Sequence, residues 1–363
     1  MSWRRFAPAS RSTCARAAHA AVQRPASPEA PVSTPPVLGC AELLRLCAAP
    51  LALEAYSPLA EYPCLLFDAA GSEHAAPHAL SHAAQRLRAL PCPVLALGSP
   101  APALLRGVDA LLRDAEVALF LDNIARHPLA AMTLVQVLRH NEDADVAQGL
   151  LAESLAYATL QAGPEFAAVR AAGFRVPPVA QGDAPAVLLA REDDCLAIRL
   201  NRPAARNAYN TAMRDGLFEA LQLLRADPSL SRAVVRGEGD CFSVGGDLAE
   251  FGCAADPATA HAVRCSRHVG RALHELAPRL VFHLHRACIG AGIELPAFAG
   301  RVVARHDTFV QLPELSLGLI PGAGGTVSIL RRVGRQRTAW LALSGRRLRA
   351  QQALSWGLVD ALE

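Results

Sequence analysis

Two glutamates in the second half of the chain are flanked by apolar residues, which makes them candidates for proton transfer. Glu294 lies between Ile293 and Leu295, and Glu314 directly precedes Leu315. A buried carboxylate without a partner is costly, so its pKa should rise toward neutrality. Such a group can release or accept a proton at physiological pH. The alternative, a carboxylate that caps a helix or pairs with an arginine, applies to either glutamate taken alone.

Glycine-rich turns could bring backbone N–H groups to a ligand near these glutamates. Val244 lies just before a Gly-Gly pair, and Ala291 lies between two glycines. Small residues let a ligand approach the backbone closely. Two fixed N–H donors would stabilise negative charge that develops on a ligand oxygen in a transition state. The alternative is that both turns simply connect a strand to a helix.

Four segments of this half together resemble the crotonase superfamily, the enoyl-CoA hydratase/isomerase family. The resemblance covers residues 186–362, and its specificity comes from the order and spacing of the segments. It implies an α/β fold, the ββα-superhelix of crotonases, and a coenzyme A thioester as substrate. The segments are Asn-Arg-Pro at 201–203 with Asn-Ala at 207–208, Phe-Ser-Val-Gly-Gly-Asp-Leu at 242–248, Ile-Gly-Ala-Gly-Ile-Glu-Leu at 289–295, and Leu-Pro-Glu at 312–314 leading to Gly-Leu-Ile-Pro-Gly-Ala-Gly-Gly-Thr at 318–326.

The resemblance also implies roles for the candidate residues. The N–H groups of Val244 and Ala291 would form an oxyanion hole. Glu294 would orient and deprotonate water, and Glu314 would supply a proton to Cα, which together hydrate a 2-enoyl-CoA. Isomerases of the superfamily generally need one acid, and its hydrolases generally lack an acid at the position of Glu294, so the pair favours a hydratase-like lyase. Contacts to substrate or CoA are expected at Arg206, Gly245, Gly246, Asp247, Gly290 and Gly322.

Two of these contact residues have a second interpretation. Asp247 is expected to hold its own loop by accepting backbone hydrogen bonds rather than to act on substrate. Arg206 could meet a CoA phosphate or be a solvated surface arginine.

Composition excludes several other functions. All 36 basic residues are arginine, so a lysine Schiff base, a pyridoxal-phosphate enzyme and a P-loop are excluded. A net charge of +3 argues against a nucleic-acid surface, and no apolar run is long enough to span a membrane. The ten cysteines form no C-x-x-C pair, which is typical of a reducing, cytoplasmic compartment. His283 and His285 could share a strand face, but we expect ordinary strand histidines, no metal, and no cofactor apart from the CoA of the substrate.

The sequence divides into three parts. Residues 1–38 are rich in arginine and then proline, and we expect a disordered lead-in, although a transit peptide is compatible with its start. Residues 39–175 predict a mainly helical domain, in which the runs 64–67, 94–97 and 117–121 could be strands of a second α/β unit. A turn-rich linker at 173–185 separates it from a catalytic domain at 186–363.

Within the catalytic domain the pattern alternates between strands and helices. It predicts a hairpin around the acidic turn at 192–194, strands at 233–235 and 280–284, and a long helix over 257–276. A further helix has its apolar face at Met213, Leu217, Ala220, Leu221 and Leu224.

The region outside the crotonase-like core keeps two other functions open. The chain ends at Glu363, before the C-terminal helices that typical relatives use to close the acyl pocket and to build trimers. Our hypothesis is that the N-terminal helices do this work in a homo-oligomer, a trimer or hexamer. Their position resembles the cofactor-independent dihydroxyphenylacetyl-CoA dioxygenase branch, which implies an oxygenase or another oxyanion-hole reaction on an aryl-acetyl-CoA. The remaining alternative is a non-catalytic scaffold for acyl-CoA or a partner chain. Within the N-terminal helices, Glu153 and Glu165 are interpreted as surface carboxylates.

Overall fold

The N-terminal half is built around a four-stranded parallel sheet in the computed structural model, which describes residues 34–49, 52–174 and 184–363. The strands lie in sequence order and are linked by helices, as in βαβ units. They are β1 (Val37–Leu38), β2 (Leu65–Asp68), β3 (Val94–Leu97) and β4 (Ala110–Leu112). The helices are α1 (Cys40–Ala48), α2 (Pro77–Arg88), α3 (Pro102–Leu105), α4 (Asp114–Arg126), α5 (Pro128–Asn141), α6 (Val146–Gln161) and α7 (Pro164–Ala172).

Helices dominate this half, as predicted, and two of the three proposed strand runs are strands β2 and β3. The third, 117–121, was wrong, because it lies within α4. The buried Phe120 and Ile124 recur at helical spacing there, and Glu116 accepts the N–H of Arg113 at the helix start. Residues 1–33 of the predicted lead-in at 1–38 and residues 175–183 of the predicted linker at 173–185 lie outside the described residues. The end of the lead-in was wrong, because Val37–Leu38 form strand β1.

The C-terminal half repeats strand and helix units around two sheets. A six-stranded sheet has the order β13-β10-β8-β7-β6-β5, and a smaller sheet has the order β12-β11-β9. The strands are β5 (Val187–Glu192), β6 (Cys195–Leu200), β7 (Arg232–Gly237), β8 (Leu280–Leu284), β9 (Ala287–Ile289), β10 (Arg301–Ala304), β11 (Phe309–Gln311), β12 (Leu348–Arg349) and β13 (Ala361–Leu362). The helices are α8 (Thr211–Ala226), α9 (Pro257–Ser266), α10 (Val269–Glu275), α11 (Ala291–Glu294), α12 (Gly325–Val333), α13 (Arg335–Ser344) and α14 (Ala350–Trp356).

Most elements predicted for this half are present. Strands β5 and β6 form the antiparallel hairpin, and the predicted apolar face of α8 is buried. The single long helix over 257–276 was wrong, because the chain breaks between α9 and α10. His268 adopts an extended conformation there, and its ring accepts the N–H of Arg271, so it caps a new helix start. None of the helices described is long and apolar enough to cross a membrane.

A buried ionic cluster joins the two halves. Asp109, which precedes β4, forms salt bridges with Arg139 of α5 and Arg335 of α13, and all three side chains are buried. Arg335 also bonds to Glu142 at 3.1 Å and to a backbone carbonyl of the N-terminal half. The charges are therefore paired where burial would otherwise make them costly. One continuous apolar core includes α5 and α6 from the first half and α12 and α13 from the second.

Candidate active site

Glu294 and Glu314 reach one site from different elements. Glu294 ends the short helix α11 and is 2% exposed. Its Oε2 accepts the N–H groups of Ala323 at 2.8 Å and Gly325 at 2.9 Å. Glu314 follows β11 and begins a 3-10 turn, and its buried Oε2 has no hydrogen-bond partner among the described residues. The Glu294 carboxyl group is therefore held by two N–H donors, whereas one oxygen of the Glu314 carboxyl group has no donor among the described residues.

The two carboxyl groups face the same small space beside Gly290. A Cβ built on this glycine would lie 2.5 Å from Glu314 Oε1 and 3.7 Å from Glu294 Oε1. Gly290 also has φ +50°, which a side chain would strain. The absence of a side chain here is therefore what leaves room for both carboxyl groups.

Burial raises the pKa values of both carboxyl groups. Burial raises the pKa of Glu294 to about 7, and the N–H groups of Ala323 and Gly325 oppose the rise. Burial and the neighbouring Glu294 raise the pKa of Glu314 well above its usual range. Two buried carboxyl groups with raised pKa values in one site are candidates for proton transfer near neutral pH.

The predicted oxyanion-hole donor Val244 was wrong. Its N–H group already donates to the carbonyl of Arg206 at 3.1 Å, so it is not free for a ligand. Gly246, two residues on, lines the pocket instead. Its neighbours Gly245 and Asp247 exchange backbone hydrogen bonds with Tyr209, and the N–H of Gly246 has no acceptor within the described residues.

The second predicted donor, Ala291, lines the same pocket as Gly246. It is the first residue of α11, where an N–H has no intrahelical acceptor. The segments that carry Gly246 and Ala291 are hydrogen-bonded to each other, because the N–H of Ile289 donates to the carbonyl of Ser243 at 3.0 Å. Gly245, with φ +87°, sits so close that a Cβ would lie 2.6 Å from the Ile289 carbonyl oxygen. Gly246 and Ala291 are therefore neighbouring N–H donors in one pocket.

The pocket encloses about 230 Å³ and receives walls from both halves of the chain. Tyr157 of α6 packs so closely that a Cβ on Gly322 would lie 2.5 Å from its ring. Arg264 of α9 lies 5.0 Å from the same ring and bonds to Ser154. The lining includes Tyr157, Gly246, Phe251, Ala291, Glu294 and Glu314. Sequence reasoning missed the contribution of α6 to this pocket.

The other predicted contact residues are spread around the pocket. Asp247 lines it and, as expected, holds its loop, accepting the N–H of Ala249 at 3.1 Å and pairing with Arg202 at 2.9 Å. Gly322 also lines the pocket, whereas Gly245 and Gly290 do not. Arg206 is exposed and does not line the pocket, while Arg214, Arg264 and Arg267 do.

Glu153 contradicts its interpretation as a surface carboxylate. It is 1% exposed, and its two oxygens accept the N–H groups of Gly324 at 2.7 Å and Thr326 at 3.0 Å. Burial, followed by the charge of Glu294, raises its pKa to about 8, against the bonds from Thr326 and Gly324. The sequence held little signal for this position, because α6 also carries apolar residues, Leu151 and Leu155, on its exposed face.

The remaining polar residues singled out from the sequence have structural partners. Glu165 accepts the N–H groups of Leu129 and Ala130 at the start of α5. His283 pairs with Glu363 at 3.0 Å, and His285 bonds to the carbonyl of Gly239 at 3.0 Å. Within residues 34–49, 52–174 and 184–363, no group of three potential metal ligands converges.

Comparisons with known proteins point to one family. The enoyl-CoA hydratase/isomerase family model matches residues 191–362. The 2,3-dehydroadipyl-CoA hydratase of Escherichia coli K12 is 36% identical over 174 residues, which are 48% of this chain and 68% of that protein. An enoyl-CoA isomerase/hydratase of Mycosarcoma maydis is 32% identical over 44% of this chain and 62% of its own length. The crystal structure of enoyl-CoA hydratase from Thermoplasma volcanium is 32% identical, covers 50% of this chain and 72% of that one, and has a TM-score of 0.44.

Proposed function

Because the chain belongs to the enoyl-CoA hydratase/isomerase family, we propose that it adds water across the double bond of a 2-enoyl-CoA. The observation that carries the proposal is the convergence of Glu294 and Glu314 beside Gly290, in a pocket that also contains the N–H groups of Gly246 and Ala291. The acyl-CoA is the proposed partner of this pocket.

In the first step the thioester oxygen lies against the N–H groups of Gly246 and Ala291. Glu294 is held through Oε2, which leaves Oε1 to accept a proton from water. The water oxygen bonds to Cβ, the double-bond electrons move toward the carbonyl, and the charge accumulates on the thioester oxygen. Donors already fixed in place stabilise that charge without reorganising.

In the second step Glu314 delivers a proton to Cα, and the thioester carbonyl is restored. Burial and the neighbouring Glu294 raise the pKa of Glu314, which favours the protonated form that an acid requires. Glu294 has then gained the proton that Glu314 has lost, so a proton must pass back through solvent before the next turnover. The addition is redox-neutral, and both proton transfers have a carboxyl group, so we propose no metal or redox cofactor. A homo-oligomeric state, trimer or hexamer, stays a prediction.

The test is a spectrophotometric assay that follows loss of the enoyl absorbance of crotonyl-CoA and of longer and aromatic enoyl-CoAs. Wild type should hydrate at least one of them, and Glu294→Gln and Glu314→Gln should each lower kcat by about 10²-fold or more. Glu116→Gln is the control, because Glu116 is also 2% exposed but does not line the pocket. Full activity in either pocket variant would remove two-carboxylate hydration as the mechanism.

A further inference from the structure

Four successive N–H groups at residues 323–326 are divided between two carboxyl groups. Ala323 and Gly325 donate to Glu294 Oε2, at 2.8 and 2.9 Å. Gly324 and Thr326 donate to Glu153, at 2.7 and 3.0 Å. The turn that holds the Glu294 carboxyl is therefore itself held, at the alternate residues, by Glu153.

The two carboxyl groups come from different halves of the chain. Glu294 belongs to α11, whereas Glu153 belongs to α6, 171 residues before Gly324. The turn leads into α12, whose first N–H groups have no intrahelical acceptors. The Glu153 side chain from α6 supplies acceptor oxygens to two of the N–H groups at this helix start.

Glu153 is placed to hold the turn and not to contact a substrate. It does not line the pocket, and both of its oxygens already accept hydrogen bonds. The Thr326 hydroxyl supplies a third donor at 2.6 Å, while its oxygen accepts the side-chain amide of Asn141 at 3.0 Å. Both oxygens of the Glu153 carboxyl thus have defined donors.

We propose that Glu153 is a positioning residue of the active site: by fixing Gly324 and Thr326 it sets the two N–H groups that orient the Glu294 carboxyl. We call the hydrogen bonds from Gly324 and Thr326 to Glu153 the clamp. The role of Glu294 rests on the proposed function, whereas the clamp rests only on these hydrogen bonds. It makes the N-terminal half part of the reaction machinery, although the matched family region begins at residue 191.

Loss of this clamp should affect the chemical step more than binding. Glu294 would keep its carboxyl group, but the carboxyl group would no longer be held in a fixed orientation toward the attacking water. A misplacement of about 1 Å can lower the rate about 10²-fold. Walls that hold the substrate, such as those from Phe251 and Ala291, would be unchanged. We therefore expect a lower kcat with KM preserved.

The experiment uses the full chain with Glu153→Gln, which keeps the side-chain size but cannot accept hydrogen bonds at both terminal atoms. Asp145→Asn is the matched control, because it removes a carboxylate from the start of the same helix without touching residues 323–326. With the best enoyl-CoA of the panel, kcat of Glu153→Gln should fall about 10- to 100-fold while KM stays within about twofold. Asp145→Asn should behave as wild type. Wild-type kcat in Glu153→Gln would overturn the proposal.

Two further measurements decide the remaining outcomes. If Glu153→Gln does not fold, Thr326→Val removes one donor to Glu153 and Thr326→Ser retains it; equal kcat in these two variants would overturn the proposal. Amide hydrogen exchange at Gly324 and Thr326 requires no substrate and should be faster in Glu153→Gln than in Asp145→Asn. If wild type hydrates nothing, the hydratase proposal fails, and unchanged exchange at these amides would separately refute the clamp.

Discussion

Gly325→Ala should separate the placement of Glu294 from the stability of the fold. A Cβ on Gly325 would lie 2.6 Å from Glu294 Cγ and 2.9 Å from its Oε2, whereas ordinary contact begins at 3.4 Å. The Glu294 side chain must therefore shift by several tenths of an ångström. The Gly325 N–H, the Glu294 carboxyl and the rest of the pocket all remain.

The magnitude follows from two opposing effects. Gly325 lies within α12 without a positive φ, so alanine should gain about 0.4–1 kcal/mol by restricting the unfolded chain. That gain offsets part of the strain from the close contact, so the melting temperature should change little. A shift of the base approaching 1 Å should lower kcat by about 10²-fold, which corresponds to about 2.7 kcal/mol of activation free energy.

The assay compares hydration kinetics and thermal unfolding of Gly325→Ala with those of wild type. Gly39→Ala is the control, because no atom lies within 4 Å of the Cβ it would add and its φ is −73°. A Gly325→Ala protein that is as active as wild type would refute the claim that the turn at 323–326 sets the base. A large fall in melting temperature would mean that the fold, and not the site, has been perturbed.

Three further predictions concern charge, the donor groups and the joint between the halves. Because burial raises the pKa of Glu314, the protonated form is favoured in the folded protein, and its contribution to stability is lost as pH rises from the unfolded pKa through the folded pKa. Glu314→Gln should therefore unfold at a higher temperature than wild type at pH 8 but not at pH 5. A lower unfolding temperature at pH 8 would contradict this. Ala291→Pro removes one N–H at a helix position that tolerates proline, and it should lower kcat by about 10²–10³-fold with an unchanged circular dichroism spectrum; normal turnover would exclude Ala291 as a donor. Asp109→Asn leaves Arg139 and Arg335 without their buried carboxylate and should lower the free energy of unfolding by about 3–5 kcal/mol in urea titrations. A loss below about 1 kcal/mol would show that this cluster does not stabilise the packing of the two halves.

The sequence predicted the elements of the C-terminal half better than the donors they carry. Local patterns were enough for the β5–β6 hairpin and for the buried face of α8. The choice between Val244 and Gly246 depended on a contact that no local pattern reveals. Tyr209, more than thirty residues earlier, pairs with the backbone on both sides of Gly246, and Arg206 takes the N–H of Val244.

The N-terminal half was harder to interpret because its important contacts are long-range. An acid on a helix is usually solvated, so Glu153 was assigned to the surface, although it lies on the buried face of α6. Its partners at Gly324 and Thr326 can be identified only once the two halves are packed together. The break between α9 and α10 was missed because the ring of His268 can cap a helix start, a role that apolar periodicity does not encode.

The division of residues 323–326 between the two halves has a consequence for the timing of protein synthesis. The ribosome completes α6 long before it adds Gly324, 171 residues after Glu153. A nascent chain therefore carries Glu153 without its partner while the next 171 residues are added, and Glu294 receives its final orientation only after the turn has emerged and docked. If the chain is the proposed hydratase, activity would then appear late, and a ribosome-bound chain stalled before residue 323 should be inert although Gly246, Ala291, Glu294 and Glu314 have already been synthesised.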